Sequence, residues 1–115
     1  MTIVPRELER LFQMQKEDVQ REFAPYFYDY FPSFFSSFEG LRLYSERCKY
    51  VFELTRAKNK KVLDIGCGFG LISINLASFG AHMVSGIDAN EEKVDVFQKI
   101  LSRFDLPPNN IEAKL

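Results

Sequence analysis

Three glycines in five residues, Gly66-Cys67-Gly68-Phe69-Gly70, stand between a short apolar segment and the start of a helical pattern. Glycine reaches backbone conformations closed to other residues, so such a loop turns sharply and lets a ligand approach the main chain. The first amides of the helix that follows lack intrahelical acceptors, which makes them donors for that ligand. Several nucleotide-binding folds share this device, so the loop alone fixes a strand-loop-helix unit and not a ligand.

The flanking pattern supplies the rest of the unit. Residues 61–65, Lys-Val-Leu-Asp-Ile, read as a strand. Residues 71–79 read as a helix with Leu71, Ile72, Leu76 and Phe79 inward and Gly80 as its stop. Residues 82–87 read as a second strand. Residues 91–104 read as a second crossover helix with Val94, Phe97, Leu101 and Phe104 on one face, ended by Pro107-Pro108. A third strand opens at Ile111. The order β-α-β-α-β predicts parallel strands joined by right-handed crossovers.

Two acidic residues sharpen the loop. Asp64 ends the first strand, two residues before the first glycine, and Asp88 ends the second. In an open α/β sheet, ligands sit outside the carboxyl ends of the strands, so both carboxylates and the glycine loop converge on one crevice. A carboxylate at Asp88 can accept hydrogen bonds from both vicinal hydroxyls of a ribose.

On these residues the sequence resembles a family. Val-Leu-Asp-Ile-Gly-Cys-Gly-Phe-Gly, residues 62–70, looks like the first motif of class I S-adenosylmethionine-dependent methyltransferases, and Gly-Ile-Asp-Ala-Asn, residues 86–90, looks like their second cofactor motif. The resemblance covers residues 59–115. It implies that Asp64 helps hold the amino end of the cofactor's methionine part. It implies also that the backbone of Gly66, Cys67, Gly68 and Gly70 passes beneath the cofactor, that Asp88 binds the ribose, and that Ala89 lies beside the adenine. The implied fold is α/β and Rossmann-like: a partial parallel sheet of three strands, with a helical N-terminal arm.

A nicotinamide-dependent oxidoreductase is the chief rival. Its G-x-G-x-x-G fingerprint would need a third glycine at position 71, which is Leu71. Asp64 would also repel a pyrophosphate. No Lys-Ser or Lys-Thr follows the glycines, which excludes a P-loop. S-adenosyl-L-methionine has no phosphate and carries a sulfonium cation, so acidic surroundings favour it. A non-catalytic module that only holds the cofactor is the second alternative. The family's later motifs do not follow Leu115, so residues 59–115 read as the truncated, cofactor-binding half of a methyltransferase domain.

Composition narrows the partners. Fifteen basic residues against sixteen acidic ones give a net charge of −1, which is no footprint for a nucleic-acid binder. A small-molecule acceptor is expected, with no nucleic acid. No apolar stretch reaches the ~20 residues of a membrane span, and no secretory signal is evident at the N-terminus. Cys48 and Cys67 show no metal or redox spacing; a cytoplasmic protein with reduced thiols and no metal site is expected. Methyl transfer can proceed largely by positioning, so no catalytic residue is assigned. His82, the one histidine, reads as a surface residue at the far end of the second strand, and Cys48 as a core residue.

Residues 1–58 form the expected arm. One amphipathic helix is predicted over residues 5–23, with Leu8, Leu11, Phe12, Val19 and Phe23 on its stripe. A second is predicted over 37–57, with Leu41, Tyr44, Cys48, Val51, Phe52 and Thr55 inward. Between them, residues 26–38 hold eight aromatic side chains in thirteen positions. They read as a hydrophobic clamp on the sheet, with a lid or a partner contact as the alternatives. The strand at Lys61 is expected to leave an open edge, and open edges invite self-association.

Overall fold

The computed structural model describes residues 3–30, 38–104 and 110–115. The arm comprises α1 (Arg6–Gln13), α2 (Lys16–Glu22) and a 3₁₀ turn (Phe27–Tyr30), followed by α3 (Phe38–Leu54). The sheet half comprises β1 (Lys61–Ile65), α4 (Leu71–Phe79), β2 (Met83–Ile87), α5 (Glu91–Phe104) and β3 (Ile111–Lys114). The strands run parallel in the order β1-β2-β3. This is the expected α/β, Rossmann-like sheet.

Helix ends follow local chemistry. Past α4, Gly80 takes the left-handed conformation at φ 117°. Its N–H donates to the Ala77 carbonyl, and the Ala81 N–H to Leu76. This paired closure satisfies the last carbonyls of the helix. The same closure ends α3 around a non-glycine, Arg56, at φ 55°, with Arg56 donating to Glu53 and Ala57 to Phe52. Consequently α3 stops at Leu54 rather than at residue 57.

The arm departs from expectation. One helix over residues 5–23 is replaced by two, because Met14 is extended at ψ 153°. No residue between Gln13 and Lys16 is a helix breaker, so the cause is tertiary. The bend lets Leu8 and Leu11 of α1 and Val19 of α2 enter one core with Phe23 and Phe27. That core is continuous with Phe69, Ile74, Phe97, Ile100 and Phe104 of the sheet half. Arg103 of α5 pairs with Glu22 of α2 at 2.7 Å, and Phe23 stacks on Phe104 with ring centroids 6.4 Å apart.

α4 and α5 cover one face of the sheet, the face of Val62, Val84 and Ala113. The other face is open along β1, where Leu63 is 57% and Ile65 75% exposed. Three residues expected inward share that exposure: Ile72 at 43%, Val51 at 49% and Thr55. The periodicity marked an apolar side of each helix correctly, but among the described residues no layer covers those positions. Among the described residues β3 is an edge as well as β1, whereas only the strand at Lys61 was expected to be one.

Candidate cofactor site

The glycine loop leaves β1 at its carboxyl end. Gly66, Gly68 and Gly70 all have positive φ, at 76°, 56° and 87°. The N–H groups of Gly66 and Cys67 both donate to the Ile87 carbonyl at the end of β2, at 2.8 and 3.0 Å. The loop is thereby folded over the ends of both strands. The three glycines then differ. A Cβ on Gly66 or Gly68 would meet nothing within 4 Å, whereas one on Gly70 would lie 2.3 Å from the ring of Phe97. Gly66 and Gly68 keep an open surface over the loop, and Gly70 permits close packing of α4 against α5.

Asp88 lies just past β2 and is tied to that loop. Its Oδ2 accepts the Gly68 N–H at 2.9 Å, and its Oδ1 accepts the Asn90 N–H at 2.8 Å. These two donors, Asn90 foremost, hold the carboxyl below the usual aspartate range. Each oxygen has a further lone pair with which to accept from a ligand. Asp88 is not the cap of α5. That role falls to Asn90, whose Oδ1 accepts the Lys93 N–H at 3.1 Å.

Asp64 takes the other side of the loop, where its Oδ2 accepts the hydroxyl proton of Ser73 at 2.6 Å. Both carboxylates act on one thiol. Burial, then the charges of Asp64 and Asp88, push Cys67 up to about 11. A neutral thiol of this kind is no nucleophile at physiological pH. Cys48 on α3 is also pushed up to about 11, by burial and then by Asp64. Tyr44, one turn earlier, is raised by burial and then by Cys48 and Asp64. α3 therefore borders the Asp64 end of the crevice. Sequence reasoning had Tyr44 and Cys48 as core only, and missed Ser73 and Asn90.

Ala89 is exposed beside Asp88. His82 is exposed at the opposite end of β2, far along the strand from the crevice. The described part of the aromatic segment reaches the site indirectly. Phe27 stacks on Phe69 of the glycine loop, with centroids 5.3 Å apart and planes 9° from parallel, and Tyr26 lies 6.2 Å from the same ring. Residues 31–37 of the segment, including Phe34 and Phe35, lie outside the described residues, as do Pro107 and Pro108. Among the described residues no cluster of His, Cys, Asp and Glu could hold a metal ion, and no helix is long and apolar enough to cross a membrane.

Residues 45–114 match the family model described as ribosomal protein L11 methyltransferase (PrmA). The chain belongs to this methyltransferase family. A ubiquinone biosynthesis O-methyltransferase of Coxiella burnetii (strain Dugway 5J108-111) is 48% identical over 50 residues, 44% of this chain and 21% of the relative. An rRNA N(6)-adenosine-methyltransferase of Danio rerio is 40% identical over 50 residues, 44% of this chain and 24% of that protein. Among solved structures, magnesium protoporphyrin IX methyltransferase from Synechocystis PCC 6803 with bound S-adenosylhomocysteine has a TM-score of 0.53 at 21% identity. It is matched over 93% of this chain and 43% of its own. The chain thus spans about a fifth of the length of the curated relatives it matches. The family is that of class I S-adenosylmethionine-dependent methyltransferases, and its relatives' names differ in the acceptor.

Proposed function

We propose that the crevice between Asp64, the glycine loop and Asp88 binds S-adenosyl-L-methionine, and that the reaction is in-line methyl transfer to a nucleophile on a small molecule. The observation that carries the reading is the carboxylate of Asp88. Backbone N–H groups of Gly68 and Asn90 fix one oxygen each, which orients the remaining lone pairs and locks the carboxylate to the loop. A pair of vicinal ribose hydroxyls matches that acceptor.

The residues suit the cofactor chemically. Open space above Gly66 and Gly68 admits a ligand against the backbone, and Cys67 contributes its main chain there. Asp64 faces the cationic methionine end, Ala89 flanks the adenine, and Gly70 starts α4 beneath. When bound, the cofactor supplies an electrophilic methyl group on a sulfonium. The chain's part is to hold that group in line and to surround it with negative charge, without a dedicated acid or base. Two carboxylates flank the loop, and Leu71 stands where the nicotinamide fingerprint needs its third glycine, which disfavours the nicotinamide alternative.

A small-molecule acceptor is supported by the net charge of −1, which offers no footprint for a polyanion. The division into an arm, residues 1–58, and a cofactor-binding half, residues 59–115, belongs to this reading. So does a cytoplasmic setting, which rests on the two free cysteines. Self-association belongs to it too, because β1 presents unpaired backbone beside exposed Leu63 and Ile65.

Calorimetric titration of S-adenosylhomocysteine and of NAD into the wild-type chain and Asp88→Ala tests the core of the proposal. Binding of the thioether alone, weakened at least about tenfold in the variant, is expected from the loss of two hydrogen bonds to a charged acceptor. Binding of NAD would overturn the reading, and a folded chain that takes neither ligand would remove the cofactor site from this chain.

A further inference from the structure

We propose that Ser73 is a positioning residue: its hydroxyl fixes the rotamer of Asp64 and so presents Asp64 Oδ1 to the cationic end of the cofactor. The inference rests on the cofactor reading of Asp64 given above.

Ser73 is the third residue of α4 and is fully buried. A buried serine in a helix commonly turns its hydroxyl back to the carbonyl four residues earlier. Here that would be Phe69, but the proton goes instead to Asp64 Oδ2 at 2.6 Å. That length is typical of a hydroxyl bonded to a carboxylate, a stronger contact than one between neutral groups. Asp64 sits on the covered face of β1, in register with Gly86 of β2. A residue without a Cβ there gives its carboxylate no side-chain support from the next strand. Among the described residues, support comes from the Ser73 hydroxyl of α4, nine residues along the chain.

The consequence is directional. Ser73 takes one lone pair of Oδ2, so Oδ1 is the oxygen that offers a ligand both of its lone pairs. The same helix whose start follows the glycine loop therefore also aims the acid that precedes the loop. Ser73 touches neither cofactor nor acceptor in this arrangement and acts only through Asp64.

The test compares two ligands in wild type, Ser73→Ala, Ser73→Thr and Asp64→Asn. S-adenosylhomocysteine carries the amino-acid end, and 5′-methylthioadenosine lacks it. S73A should weaken the first about tenfold, the order of one hydrogen bond to a charged group, and leave the second unchanged. S73T, which keeps the hydroxyl, should restore the wild-type ratio. Three-bond couplings of the Asp64 side chain in the free protein give a reading without any ligand: one χ1 rotamer in wild type and S73T, averaged rotamers in S73A. Should S73A fail to fold, Ser73→Cys takes its place, with similar size and a much weaker donor. An Asp64 that keeps a single rotamer in S73A overturns the proposal, as does an equal loss of affinity for both ligands. If D64N binds S-adenosylhomocysteine as wild type does while S73A averages the couplings, positioning stands and the cofactor role of Asp64 falls.

Discussion

Strand β1 presents two unlike faces within five residues. Val62 and Asp64 face the α4 side, where Val62 joins Leu76 and Val84 in a packed cluster and Asp64 is held by Ser73. Lys61, Leu63 and Ile65 point the other way and are exposed. A strand that is apolar on both sides is the mark of parallel sheets buried on both faces, and Val62, Leu63 and Ile65 write that pattern here. One face is satisfied by α4 and α5, while the other has no cover among the described residues. The difference teaches where this chain's packing and its proposed cofactor site reside: on the covered face and at its carboxyl end.

The sharpest way to break that comparison is at Phe97. Its ring is fully buried and fills the space that a side chain at Gly70 or Gly86 would need. Phe97→Ala should cost about 3–5 kcal/mol, as for other buried aromatic truncations. Gly70→Ala approaches the same contact from the other side. It adds ~1–2 kcal/mol of left-handed backbone strain and ~1–3 kcal/mol of overpacking. Gly68→Ala carries the strain alone, because nothing lies within 4 Å of its added Cβ. Urea denaturation of the three variants should rank Phe97→Ala first, Gly70→Ala next and Gly68→Ala last. Equal costs for the two glycines would show that Gly70 is not there for packing.

How much of this was legible in the sequence depends on how local the signal is. β1, α4 and α5 begin and end at the expected residues, because Gly70, Gly80 and Asn90 write their ends locally. Asp64, Asp88 and the loop were legible as converging, because strand ends and glycines dictate it. Ser73 was not, since a serine on a buried helical stripe looks like any small core residue until its partner nine positions away is placed. The break between α1 and α2 was illegible for a different reason: no local residue causes it, and a shared core with Phe69 and Phe97 does. Ile72 and Val51 were read from periodicity, which marks an apolar side without saying what will cover it.

The open face gives the smaller effect in stability and the clearer one in solution behaviour. Leu63→Ser with Ile65→Ser removes two exposed side chains from β1. The change in folding free energy should stay within about 0.5 kcal/mol per site, as at exposed positions generally. If the chain self-associates through this edge, sedimentation velocity should show wild type above the monomer and the double variant shifted toward it. A wild-type chain that sediments as a monomer at high concentration breaks the self-association part of the proposal and leaves the cofactor site untouched. A double variant that unfolds would mean that the face is covered in solution, and the contrast between the two sides of β1 would be lost.

The least effect at neutral pH is expected from Cys67, and it bears on the chemistry of the covered end. Its thiol stands beside Gly86, whose added Cβ would lie 3.0 Å from the Cys67 Cβ, and between two carboxylates that oppose its ionisation. Burial and those charges raise it to about 11, so at pH 7.5 its thiolate fraction falls about 100-fold below that of an ordinary thiol. Iodoacetamide should therefore label Cys67 about that much more slowly than the urea-unfolded chain, with a rate that keeps rising to pH 11. The linkage has a definite sign. A group raised in the folded state stabilises fully below the unfolded value and loses that contribution as pH climbs through the folded one. Cys48, also raised to about 11, adds to the same trend, so stability should fall between about pH 9 and 11. Asp88→Asn tests the cause without removing the backbone. Taking away one of the two opposing charges should lower the Cys67 midpoint and speed labelling, whereas an unchanged profile would leave burial and Asp64 as the sole origin of the shift.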